Sequence, residues 1–155
     1  MQITNFTQLI EWTRQLHQHL ANALQQGGEL HQQERAQLLL ESLAQLEQRL
    51  ERTIKRFENE TNTAALDAYV PYLYSAFEQH PIRTQRIYTE PYQNLSIAQI
   101  SEVVFDVHDQ VIDFYQRLKR ESKVPEAQEL LGALLELEQE AEKRMASHID
   151  GMQDM

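Results

Sequence analysis

Cysteine is absent from the 155 residues. Within this chain that excludes thiolate catalysis, zinc–thiolate sites and cysteine-ligated iron–sulfur clusters, and it fits a reducing compartment, so the expected location is the cytoplasm. Glycine and proline number four each. That is few for a chain with many turns, and long helices joined by few loops are the expectation. Basic residues are outnumbered, 14 Lys and Arg against 24 Asp and Glu, for a formal net charge of −10. Affinity for a phosphate backbone comes mainly from lysine and arginine releasing counterions, so nucleic acid is not an expected partner. No apolar run reaches the length a bilayer requires, and the segment from Met1 to Phe6 lacks the basic stretch and apolar run of a leader, so no membrane partner is expected. Strand-like alternation, a glycine-rich phosphate loop and a nucleophile elbow are also missing.

What is present is a repeat. Leu39, Leu40, Leu43, Leu46, Glu47, Gln48, Glu51 and Arg52 return ninety-one residues later as Leu130, Leu131, Leu134, Leu137, Glu138, Gln139, Glu142 and Lys143. The same offset carries Leu16, His17, Leu20 and Ala21 onto Val107, His108, Val111 and Ile112. Each half therefore holds a histidine followed thirty residues on by a glutamate, as a duplicated helical hairpin would.

Three-and-four spacing of apolar residues places one face of each helix against a core. A first helix is expected from Asn5 or Thr7 to about Gln26, stopped by Gly27 and Gly28, with Leu9, Ile10, Leu16, Leu20 and Leu24 on its inner face. A second covers about 30–60 through Leu39, Leu43, Leu46, Leu50 and Ile54. Residues 61–94 have no counterpart in the repeat. They read as a crossover with one short helix near 67–77, Pro71 in its first turn and Tyr69, Tyr72, Tyr74 and Phe77 covering the core. Ser96, with Gln99 three residues on, opens a third helix by a capping box, and Pro125 opens a fourth. The tail from Gly151 is expected to fray. The whole predicts an all-α fold in a single domain over 1–155: a four-helix bundle of two pseudo-symmetric hairpins, 6–60 and 96–150, joined by a long crossover over 61–94.

His17, Glu47, His108 and Glu138 each interrupt an apolar stripe near the middle of a helix, so the four could converge on one interior layer. Isolated charges in an apolar interior are costly unless paired or metal-bound. Two readings follow. The four side chains form hydrogen-bonded ion pairs, or lie at stripe margins in water, and no metal is involved. Alternatively, imidazole nitrogen and carboxylate oxygen hold iron, manganese or zinc, with Glu51 and Glu142, one turn further along, able to add ligands. His31, His80 and His148 are expected at the surface, and Tyr115 as a core residue with a satisfied hydroxyl.

With Asp113, Phe114, Tyr115 and Leu118 in the third helix, the layout over 6–60 and 96–150 resembles the ferritin-like superfamily, especially its rubrerythrin-like members. The resemblance implies a four-helix bundle with a dinuclear iron or manganese site used for oxygen or peroxide chemistry. It implies a glutamate ligand on the first and third helices and a Glu-x-x-His pair on the second and fourth. This chain departs symmetrically from that pattern. His17 and His108 stand where glutamate is expected, and Leu50 and Ala141 follow Glu47 and Glu138 where histidine is expected. Six ligands become four. The alternative function is a metal-free helical bundle acting as a structural or interaction module, with a homodimer as the expected assembly.

Overall fold

The computed structural model describes residues 3–153, which form seven α-helices and one 3-10 turn with no strand among the described residues. Helix α1 (Phe6–Leu30) begins where the Asn5 side chain accepts the Gln8 amide at 2.8 Å, satisfying one of the free amides of the first turn. It does not stop at Gly27 and Gly28. Both lie inside the helix and no described residue has a left-handed backbone, so these glycines answer a demand for space. A Cβ on Gly27 would collide with the Tyr92 side chain, and one on Gly28 would come within 3.3 Å of Glu41 Cγ and 3.4 Å of Leu40 Cβ. Close backbone approach is the reason they are glycine.

Three residues return the chain into helix α2 (Glu34–Glu60). His31, expected at the surface, is buried in this turn. Its Nε2–H donates to the Leu95 carbonyl at 2.8 Å while its Nδ1 accepts the Gln33 amide at 3.1 Å. The imidazole thereby fastens the turn to the far end of the crossover.

The crossover contains more helix than the single segment expected. Helices α3 (Thr63–Asp67), α4 (Pro71–Gln79) and α5 (Gln85–Thr89) precede a 3-10 turn at Tyr92–Asn94. Proline crowds the residue before it out of the helical region, and Val70 is extended at φ −125° and ψ 96°. That breaks α3 from α4, with Pro71 in the first turn of α4, and leaves the Val70 amide to donate to the Thr4 carbonyl at 2.6 Å. Tyr69 and Tyr74 do not cover the core, being 72% and 38% exposed. Leu66, Leu73, Ala76 and Ile87 do, and Phe77 sits with its ring centroid 5.2 Å from that of Trp12 and 4.3 Å from that of Phe114.

Helix α6 (Ile97–Glu121) opens on the capping box read from the sequence. The Gln99 amide donates to Ser96 Oγ at 3.2 Å and the Ser96 amide to Gln99 Oε1 at 2.9 Å. Helix α7 (Pro125–Gln153) starts at Pro125 and stays helical past Gly151, where fraying was expected; residues 154 and 155 of that tail lie outside the described residues.

Helix α1 packs along α2, α6 along α7, and α2 against α7. One apolar cluster draws residues from every helix, from Phe6 and Leu9 to Met145 and Ile149. Each leucine fully withdrawn from water there contributes about 1.5–3 kcal/mol. Across it, Thr13 donates to the Leu9 carbonyl at 2.9 Å and lies 2.6 Å from the Tyr115 hydroxyl, which satisfies that phenol as expected. Among the described residues no helix is long and apolar enough to cross a membrane.

Candidate metal centre

Four helices each contribute one fully buried ionisable side chain to a single layer: His17 from α1, Glu47 from α2, His108 from α6 and Glu138 from α7. They form a ring. His17 Nδ1 lies 2.7 Å from Glu47 Oε2, and its Nε2 lies 2.7 Å from Glu138 Oε1. His108 Nε2 hydrogen-bonds to the other Glu47 oxygen. The fourth edge is open, because His108 Nδ1 and Glu138 Oε2 stand 3.6 Å apart and neither has a hydrogen-bond partner.

The charge state follows from the geometry. Both nitrogens of His17 face carboxylate oxygens, so both donate and the ring is an imidazolium. Burial opposes charge on His17, but Glu138 and Glu47 outweigh it and raise its pKa to about 9. Burial likewise opposes charge on His108, and Glu47 and Glu138 hold it well above its ordinary value. For the carboxylates, burial pushes upward and the imidazoliums pull harder, so Glu47 and Glu138 fall to about 2. Two positive and two negative charges thus cancel in a site cut off from water. The imidazole centroids are 5.2 Å apart, close enough to repel if the carboxylates were not between them.

The donor set suits a metal ion. His17, Glu47 and His108 each offer one ligand atom, all within 4.8 Å of one another. The open edge adds a geometric point. Two ligand atoms bound about 2.0–2.2 Å from one tetrahedral ion stand about 3.4 Å apart, close to the 3.6 Å between His108 Nδ1 and Glu138 Oε2. Buried polar atoms left without partners are uncommon, and these two fit the edge of a coordination shell. The cluster can therefore hold a metal, which would take the place of imidazole protons.

Glu51 and Glu142 do not join the ring by any hydrogen bond or ion pair, and they differ from each other. Glu51 accepts two bonds from Arg14, at 3.0 Å from Nε and 2.7 Å from Nη2, and a third from Gln18 at 3.2 Å. Glu142 instead faces Asp109 across the α6–α7 groove, and burial together with that second carboxylate pushes its pKa up to about 7. Its Oε2 is buried without a partner. The repeat explains the contrast. The ninety-one-residue offset carries Arg14 onto Phe105 and Gln18 onto Asp109, so the guanidinium that neutralises one glutamate has no counterpart beside the other. Arg14 and Asp109 escaped the sequence reading because they flank the apolar stripes, although the offset that paired the ring residues also pairs these.

The remaining histidines lie elsewhere. His80 is exposed beside Arg117 Nη1 at 2.6 Å, and His148 is exposed beside Ser42, both at the surface as expected. Comparison with known proteins returns no matching family model, no matching curated protein and no matching solved structure.

Proposed function

We propose that this chain is a ferritin-like four-helix bundle, two pseudo-symmetric hairpins in one domain, that holds a divalent transition-metal ion among His17, Glu47, His108 and Glu138. Iron, manganese and zinc all accept this mixture of imidazole and carboxylate. The role that follows is metal handling or, with open coordination positions, oxygen or peroxide chemistry. The observation that carries the proposal is the loose edge of the ring, where a buried imidazole nitrogen and a buried carboxylate oxygen, neither of them hydrogen-bonded, form only an ion pair at 3.6 Å. Metal analysis of purified protein, before and after reconstitution with each ion, tests it. Binding of one ion or more per chain is expected, and less than about a tenth of an equivalent of every ion counts decisively against it. His17→Ala with His108→Ala should abolish binding while the far-ultraviolet helical signal persists.

A second reading is favoured by the other three edges. The ring already satisfies most of its own hydrogen bonds and cancels its own charge, so it can stand as a metal-free ion-pair layer in a structural or interaction module, assembled as a homodimer. Buried ion pairs are often replaceable by apolar residues without loss of stability. If that reading holds, leucine or methionine at all four positions preserves or raises the melting temperature, and the unsubstituted protein binds no metal.

A further inference from the structure

The two sides of the ring are not equivalent. On the α1–α2 side the outer glutamate, Glu51, is already neutralised by Arg14, which also contacts Glu11 at 2.7 Å and Glu58 at 4.0 Å. A resident guanidinium occupies that flank. On the α6–α7 side Phe105 stands where the repeat would put arginine, and Asp109 and Glu142 share a groove of about 440 Å³ that opens to solvent. Lys143 also lines the groove, but its side chain is 75% exposed and its Nζ pairs with Glu140 at 3.4 Å. Among the described residues no basic side chain forms an ion pair with Asp109 or Glu142. Asp109 follows His108 directly in α6, and Glu142 lies one turn beyond Glu138 in α7. The three buried atoms of this region that lack a hydrogen bond, His108 Nδ1, Glu138 Oε2 and Glu142 Oε2, all belong to these two helices.

We propose that Asp109 and Glu142 are the entry station for the metal of the ring: a divalent cation is taken from solvent between these two carboxylates and handed inward to the open His108–Glu138 edge. The proposal rests on the reading of the ring as a metal site. Once Glu142 is ionised, above about pH 7, two adjacent carboxylates without a cation attract a divalent ion by charge, and carboxylate oxygen can bind manganese, iron, cobalt and zinc. Glu142 lies one helical turn from Glu138, so a change of its side-chain rotamer can carry an ion from the outer pair toward the inner edge. The Arg14 flank offers no such path while its guanidinium is in place.

Stopped-flow uptake of cobalt(II) above pH 7, where Glu142 is ionised, followed by its visible absorption, tests this on the full chain. Asp109→Asn with Glu142→Gln removes the outer charges without adding bulk and should slow uptake at least about tenfold relative to the unsubstituted protein. Above pH 7 its melting temperature should not fall, since a like-charge contact is lost there. Glu51→Gln, the matched change on the closed flank, should leave the rate within about twofold. Raising sodium chloride from 0.05 to 0.5 M should slow uptake by the unsubstituted protein, because charges at an exposed mouth are screened. Equal rates for the double variant and the unsubstituted protein, equal slowing by Glu51→Gln, or insensitivity to salt would overturn the entry station and leave the metal site standing. Failure of the unsubstituted protein to take up cobalt at all would overturn both.

Discussion

At the residue scale, the ring couples protons to stability, and a metal held there would couple to them in the opposite sense. Glu47 and Glu138 lie near 2 in the folded chain against an ordinary 4.5. Their contribution to stability is present above pH 4.5 and is lost as pH falls toward 2. His17 lies near 9 against an ordinary 6.5, and its contribution is full below pH 6.5 and is lost as pH rises through 9. The metal-free ring therefore stabilises most between about pH 4.5 and 6.5. Melting temperatures taken from pH 3 to 10 should peak in that window and fall on both sides, whereas a variant with leucine at all four positions should show a flatter profile. A metal bound in the ring would reverse the upper limb. It needs imidazole lone pairs, so uptake must release the protons that His17 and His108 carry, and affinity should rise with pH by roughly tenfold per unit for each proton released. Calorimetry in two buffers of different ionisation enthalpy measures that number, and metal uptake without proton release would mean that the imidazoles are not ligands. Removing one member alone is a harsher change. His108→Ala strips Glu47 of one of its two imidazolium partners, and denaturant unfolding of the metal-free protein should show a loss of about 3–5 kcal/mol.

At the element scale, the glycines show how one residue type serves different ends. Gly27→Ala puts a Cβ into Tyr92, and urea unfolding should record a loss of about 1–3 kcal/mol as α1 and the crossover are forced apart. Gly151→Ala meets nothing within 4 Å in a helix that continues through it, and should gain up to about 1 kcal/mol from helix propensity alone. The two changes are chemically identical, and only their surroundings separate them. Caps and periodicity, being local, were legible: Asn5, the Ser96–Gln99 box and Pro125 stand where the sequence indicated. The end of α1 and the burial of His31 were not, because each is decided by a distant segment, Tyr92 in one case and the Leu95 carbonyl in the other.

At the scale of the whole molecule, a metal that binds only the folded chain must raise its stability. At a hundredfold excess over its dissociation constant the gain is about 2.7 kcal/mol, which for a chain of this size amounts to a rise of roughly 5–10 °C in melting temperature. Scanning calorimetry with and without iron, manganese or zinc should show that rise in the unsubstituted protein and none in His17→Ala with His108→Ala. The size of the shift also ranks the ions, since affinity enters it directly.

The four ring residues were legible because their chemistry conflicts with their position. A histidine or glutamate inside a run of leucines stands out at any helical spacing, and the ninety-one-residue offset doubles the signal. Helical phase and duplication are properties of the chain taken alone, so the sequence determined four long helices and singled out His17, Glu47, His108 and Glu138; that the four meet in one buried layer rather than at stripe margins was decided by packing. Which edge of the ring stays open, and which outer glutamate keeps a cation, were decided only in three dimensions. Those outcomes turn on a separation of 3.6 Å between α6 and α7 and on the reach of Arg14 across to α2, and distances between helices are set by how their side chains pack, which helical periodicity along one strand of chain does not encode.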